Sequence, residues 1–81
     1  MNIRVRLFAS FREAAGTGTL SWDAAPGATV SDVMAALQAA YPSFGPAADR
    51  ALLAVNQEYV GREYRLHDGD ELALIPPVSG G

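Results

Sequence analysis

The sequence contains no cysteine, no lysine and only one histidine, and it has no apolar run of membrane-spanning length. Without cysteine, no disulfide can staple the fold and no thiol can serve as nucleophile or soft-metal ligand. Without lysine, all six cations are arginine, so the chain cannot be extended into a polymer of itself through its own side chains. The first eight residues alternate apolar with polar and lack the continuous apolar stretch of a secretion signal, which makes the cytoplasm the expected compartment. Charge is sparse too, at 19% of residues, and the balance is acidic: net −3 with a pI near 4.8. That balance argues against nucleic acid and anionic membrane as partners and favours a basic protein surface.

The 81 residues are 49% hydrophobic, which fits one small folded domain. A chain of this size buries only about 60 to 65% of the surface it exposes when unfolded, leaving little room for an enclosed active site. Ile3, Val5 and Leu7 alternate with Arg4, Arg6 and Phe8, the period of a strand with one face on a core. Residues 9–15 suit one or two helical turns closed by Gly16, and Gly16-Thr17-Gly18 leads into a second strand in which Leu20 and Trp22 share a face. Thr29 and Asp32 are spaced as a capping pair, followed by Val30, Val33, Met34, Leu37 and Tyr41 at helical intervals until Pro42. Residues 42–50 read as irregular, with a short helical turn around Ala47 to Arg50.

A strand over 51–56, a turn at Asn56-Gln57 and a short return strand over 58–60 come next. The charged run Arg62-Glu63-Tyr64-Arg65 reads as a solvated loop and His67-Asp68-Gly69-Asp70 as a tight turn. A final strand over 71–75 places Leu72 and Leu74 on one face and Ala73 and Ile75 on the other. With the main helix covering one sheet face, the first and last strands are expected side by side and parallel. The predicted fold is therefore α+β: a ubiquitin-like β-grasp, a mixed sheet with one main helix over residues 1–75 and an extended tail over 76–81.

Side-chain catalysis finds little support. His67 sits in a turn beside two aspartates, where a solvated turn residue is the simpler reading than a general base. Asp68, Asp70 and Glu71 do not follow the calcium-loop spacing, and no metal site is assigned. Gly16-Thr17-Gly18-Thr19-Leu20-Ser21 begins like a dinucleotide fingerprint, but it lacks the third glycine and precedes a strand.

The tail is the informative part. Pro76-Pro77 ends the last strand in a semi-rigid extended form, and Val78-Ser79-Gly80-Gly81 then spans about 13 to 14 Å when extended. A terminal carboxylate is a weak electrophile until activated, for example as an acyl-adenylate. Glycine permits the close main-chain approach to a nucleotide phosphate that such activation needs. Phe8, Ile75 and Tyr59 are apolar residues on the sheet side away from the helix, a candidate partner-docking patch near the strand that carries the tail.

Asp68-Gly69-Asp70-Glu71-Leu72 and Ile75-Pro76-Pro77-Val78-Ser79-Gly80-Gly81, with Leu7-Phe8-Ala9, Arg12-Glu13 and Ala54-Val55-Asn56-Gln57, resemble the MoaD family, the small subunits of molybdopterin synthase within the ThiS/MoaD superfamily of sulfur carriers. The resemblance covers essentially the whole chain, and the Pro-Pro-Val-Ser-Gly-Gly ending is its most specific part. It implies a non-catalytic carrier with no permanently bound cofactor. An E1-like (MoeB-like) enzyme would adenylate the Gly81 carboxyl with ATP, and a sulfur donor such as a sulfurtransferase would convert it to a thiocarboxylate. The tail, Pro76 to Gly81, would then enter the large (MoaE-like) subunit and give its sulfur to a cyclic pterin precursor, in a heterotetramer built on a large-subunit dimer. In the family the partner-facing positions match Phe8, Tyr59 and Ile75 more loosely than the tail matches. Carriers for thiazole or cysteine synthesis and ubiquitin-like protein modifiers are the alternatives that share this fold and ending.

Overall fold

The computed structural model describes residues 1–77. Five strands and two α-helices follow in the order β1 (Asn2–Leu7), α1 (Ala9–Ala15), β2 (Thr19–Asp23), α2 (Val30–Ala40), β3 (Leu52–Val55), β4 (Glu58–Tyr59) and β5 (Glu71–Ile75). They form one mixed sheet in the spatial order β2-β1-β5-β3-β4. β1 and β5 lie side by side and parallel, with Val5 opposite Leu72 and Leu7 opposite Leu74, while the other pairs are antiparallel. This is the expected ubiquitin-like β-grasp. Among the described residues no helix is long and apolar enough to cross a membrane.

The period-2 pattern of the strands and the 3.6-residue pattern of α2 meet in the core. Ile3, Val5, Leu7, Leu72 and Leu74 are buried on the sheet face that receives Val30, Val33, Met34 and Leu37 of α2. Each such side chain contributes about 1.5 to 3 kcal/mol relative to exposure, which is what holds a single helix against the sheet. The capping box at the start of α2 is complete: Thr29 Oγ1 accepts from Asp32 N (3.2 Å) and Asp32 Oδ2 accepts from Thr29 N (2.9 Å). α2 ends before Pro42, as the sequence requires.

Three local differences from the sequence reading have clear causes. Residues 42–50 are more ordered than expected and form a 3-10 segment, broken at Gly45 (φ 64°) and started by Pro42. Its Phe44 is buried edge-on against Phe11 of α1 (5.2 Å between centroids) and stacked on Tyr41 (5.2 Å), closing one end of the core with aromatic contacts. The charged run 62–65 keeps its side chains mostly in solvent, but its backbone caps α2: Arg62 O accepts from Ser31 N (2.8 Å) and Tyr64 O from Val30 N (2.9 Å). A helix start has unsatisfied N–H groups, and this loop supplies two of the acceptors they need. β1 also stops at Leu7, so Phe8 stands outside the ladder as the residue preceding α1.

Candidate partner-docking face

Because β1 and β5 are parallel, both finish at the same end of the sheet. Phe8 leaves β1 there and Pro76 leaves β5 there, directly after the paired residues Leu7 and Leu74 and the next residue Ile75. Phe8 keeps strand-like angles (φ −123°, ψ 151°), so it continues the alternation of Arg4 and Arg6 onto the sheet face opposite α2 even though it is unpaired. The chain turns only at Ala9, which adopts φ 49°.

Phe8, Tyr59 and Ile75 line one hollow of about 230 Å³ on that outer face. Its floor is Ala54 and Ala73, which pair across β3 and β5; Ala54 pairs in turn with Tyr59. Two alanines between larger neighbours make the depression. Arg6 and Glu71 stand at its rim, joined by an ion pair of 3.3 Å, and the Arg6 guanidinium also lies 5.3 Å from the centre of the Phe8 ring. A half-exposed pair of this kind contributes little stability, but it orders the rim. Tyr59 is 75% exposed and Phe8 37%, and because both line one hollow their exposed apolar area forms a single patch.

Leu52 is the member of this surface that the sequence reading missed. It pairs with Ile75, faces the same side and is 46% exposed. Its signal was the strand period, which puts Leu52 and Ala54 on one face and Leu53 and Val55 on the other. Pro76 and Pro77 continue from β5 outside the ladder; Val78, Ser79, Gly80 and Gly81, and with them the expected adenylation site, lie outside the described residues.

The turn before β5 is structural in its geometry. Asp68 Oδ1 accepts from Asn2 N (2.7 Å), Asp70 accepts from Asn56 Nδ2 (2.9 Å) and His67 N (2.8 Å), and Glu71 pairs with Arg6. The three carboxylates thus point to three different partners rather than to a common centre. Exposed His67 lies 3.8 Å from the Asp70 carboxylate.

A sequence model described as the ThiS family matches residues 5–81, nearly the whole chain. The chain belongs to the ThiS family. A molybdopterin synthase sulfur carrier subunit of Chlamydomonas reinhardtii is 41% identical to it, with all of both chains covered. Among solved structures, SAMP1 of Haloferax volcanii superposes with a TM-score of 0.84 at 36% identity, again with all of both chains covered. A putative molybdopterin converting factor subunit 1 of Pyrococcus furiosus gives a TM-score of 0.83 at 30% identity, covering 96% of this chain and 99% of that one. In this ThiS-family chain Pro76 and Pro77, the last described residues, leave the sheet at the end where β1 and β5 finish.

Proposed function

We propose that this chain is the sulfur carrier of molybdenum-cofactor synthesis, the small subunit of a molybdopterin synthase. The carrying observation is full-length similarity to a molybdopterin synthase sulfur carrier subunit at 41% identity, in a chain that ends in Gly80-Gly81 and has no cysteine to carry sulfur on a side chain. In this reading the Gly81 carboxylate attacks the α-phosphate of ATP on an E1-like enzyme, releasing pyrophosphate and forming an acyl-adenylate. A donor that delivers sulfur at the sulfide level then forms the C–S bond as the C–O bond to AMP breaks, leaving a thiocarboxylate. The loaded tail enters the large subunit, where the catalytic site lies; its sulfur bonds to a carbon of the cyclic pterin precursor as the oxygen group there departs, and water cleaves the resulting thioester, returning Gly81 to the carboxylate. A dithiolene holds two sulfurs, so each product consumes two loaded carriers.

The apolar hollow supports this reading energetically. Ordering the six tail residues costs about 1 to 2 kcal/mol each, less what Pro76 and Pro77 already restrict. Burial of Tyr59, 75% exposed, returns up to about 1.5 to 3 kcal/mol, and the smaller exposed areas of Phe8 and Ile75 add less, so the patch offsets part of the cost of ordering the tail. Similarity to SAMP1, a small archaeal modifier protein by name, favours a second reading in which activated Gly81 forms amide bonds to other proteins.

The test is expression with the host's own activating enzyme and sulfur donor, treatment with a thiol alkylator and tandem mass spectrometry of the C-terminal peptide. An alkyl group on Gly81 is the expected result, and with no cysteine in the chain it can arise only from a thiocarboxylate. Unmodified Gly81 alongside an enzyme competent on a known carrier would overturn the reading. Reductant-resistant adducts of higher mass would favour the modifier.

A further inference from the structure

Half of the chain's six arginines, Arg4, Arg6 and Arg12, sit on β1 and α1, although the chain as a whole carries a net charge of −3. Beside the apolar hollow, and sharing Arg6 and Phe8 with it, a second depression of about 370 Å³ runs between the end of β1, α1 and the turn into β2. Arg6, Arg12, Thr17 and Thr19 line it, and no acidic residue does. Arg6 is committed to Glu71, but Arg12 is exposed and has no acidic partner among the described residues. The Arg12 side chain lies across Gly18, where an added Cβ would stand 3.5 Å from its Nε, in van der Waals contact. Gly18 is itself tied down, its carbonyl accepting from Leu7 N over 2.9 Å. The guanidinium is therefore laid against a rigid turn, at the same end of the sheet from which β5 runs into Pro76-Pro77.

We infer that this groove receives a carboxylate of the protein that takes the tail, so that the partner's face combines an apolar knob for the Phe8, Tyr59 and Ile75 hollow with an acidic side chain that reaches Arg12. The inference rests on the carrier reading and sharpens it by giving the partner's chemistry. It refines the expectation from net charge: a basic partner surface suits the average of this chain, while Arg12 beside the tail offers a guanidinium with no acidic partner among the described residues. Two observations carry it, and a charge argument excludes the alternative occupant. The groove is lined by two guanidinium groups and no carboxylate. It is continuous with the apolar hollow, so one partner covers both. A free polyanion would be repelled by the net charge and would leave the hollow uncovered. A guanidinium meeting a carboxylate in a partly desolvated groove forms a charge-assisted, bidentate contact that fixes orientation and speeds encounter.

The test measures binding of the full chain to its host's molybdopterin synthase large subunit at 50 and 300 mM salt, using wild type, Arg12→Glu, Arg12→Ala, Arg12→Lys, Tyr59→Ala and, as a control on the opposite side, Arg65→Glu. Circular dichroism confirms that each variant is folded. Arg12→Glu is expected to weaken binding at least tenfold at 50 mM salt, mostly through slower association, with the difference shrinking at 300 mM. Arg12→Ala should fall between, while Arg12→Lys stays within about threefold of wild type and Arg65→Glu is unchanged. Wild-type affinity and salt dependence in Arg12→Glu, with binding lost in Tyr59→Ala, would overturn this inference and leave the carrier reading standing. Failure of the wild-type chain to bind the large subunit at all would overturn the carrier reading and this inference with it.

Discussion

The side-chain amide of Asn56 donates to Oδ1 of Asp70 over 2.9 Å, while Asp70 Oδ2 accepts from the backbone of His67 at 2.8 Å. Asn56 completes the clasp by accepting from Glu71 N at 3.1 Å and donating its own N–H to Glu71 O at 2.9 Å. The turn between β3 and β4 is thereby locked to the first residue of β5, the strand that leads to the tail. Asp70 is only 9% exposed, and its carboxylate is the acceptor for two part-buried hydrogen bonds. Asp70→Ala leaves both without a partner and should cost about 1 to 3 kcal/mol, read as a lower urea midpoint with an unchanged slope. A loss below about 0.5 kcal/mol would show that solvent replaces the carboxylate without penalty.

What the sequence made legible followed from periodicity. Ile3, Val5 and Leu7, Leu72 and Leu74, and the α2 stripe from Val30 to Leu37 each declare a face, and those faces determine which side of the sheet the helix covers. The same alternation put Phe8 and Ile75 on the other side, where the structure gathers them with Tyr59 into one hollow. Long-range contacts without a period were not legible. Phe11 and Phe44 meet from segments more than thirty residues apart, Leu66 is buried from within a loop, and Asp70 looks in sequence like any turn aspartate. Arg12 was equally hidden, because its neighbours in the groove come from the β1 end and the turn before β2, and net charge averages its cluster away.

Gln57 offers a test of local strain. Asn56 (φ 51°) and Gln57 (φ 72°) both occupy the left-handed region, the pattern of a tight hairpin turn whose second position favours glycine. Asparagine tolerates this conformation, whereas glutamine pays a steric cost for its Cβ. Gln57→Gly should therefore stabilise the domain by about 1 kcal/mol after its greater unfolded-state freedom is subtracted. Equilibrium urea unfolding checks this, and a destabilised variant would mean that the Gln57 side chain makes contacts worth more than the strain it imposes.

The outer face can be tested in two opposite directions. Tyr59 is mostly exposed, so Tyr59→Ala should change stability by no more than about 0.5 kcal/mol yet weaken binding to the large subunit by about 30-fold, the effect of losing an anchor worth about 2 kcal/mol. Ala73 forms the floor of the hollow from the strand face away from α2, and its cross-strand neighbours there are Arg6 and Ala54. Ala73→Leu adds bulk to the hollow without touching the core side, so folding should be retained while a partner's apolar knob is excluded. Affinity is expected to fall at least tenfold, with a melting temperature within a few degrees of the unsubstituted chain, measured by titration calorimetry and thermal unfolding. Removing an exposed ring and filling the space beside it are chemically opposite changes. If both weaken binding while the fold stands, the hollow is occupied by the partner; if Ala73→Leu binds with undiminished affinity, the partner covers the rim and leaves the hollow empty.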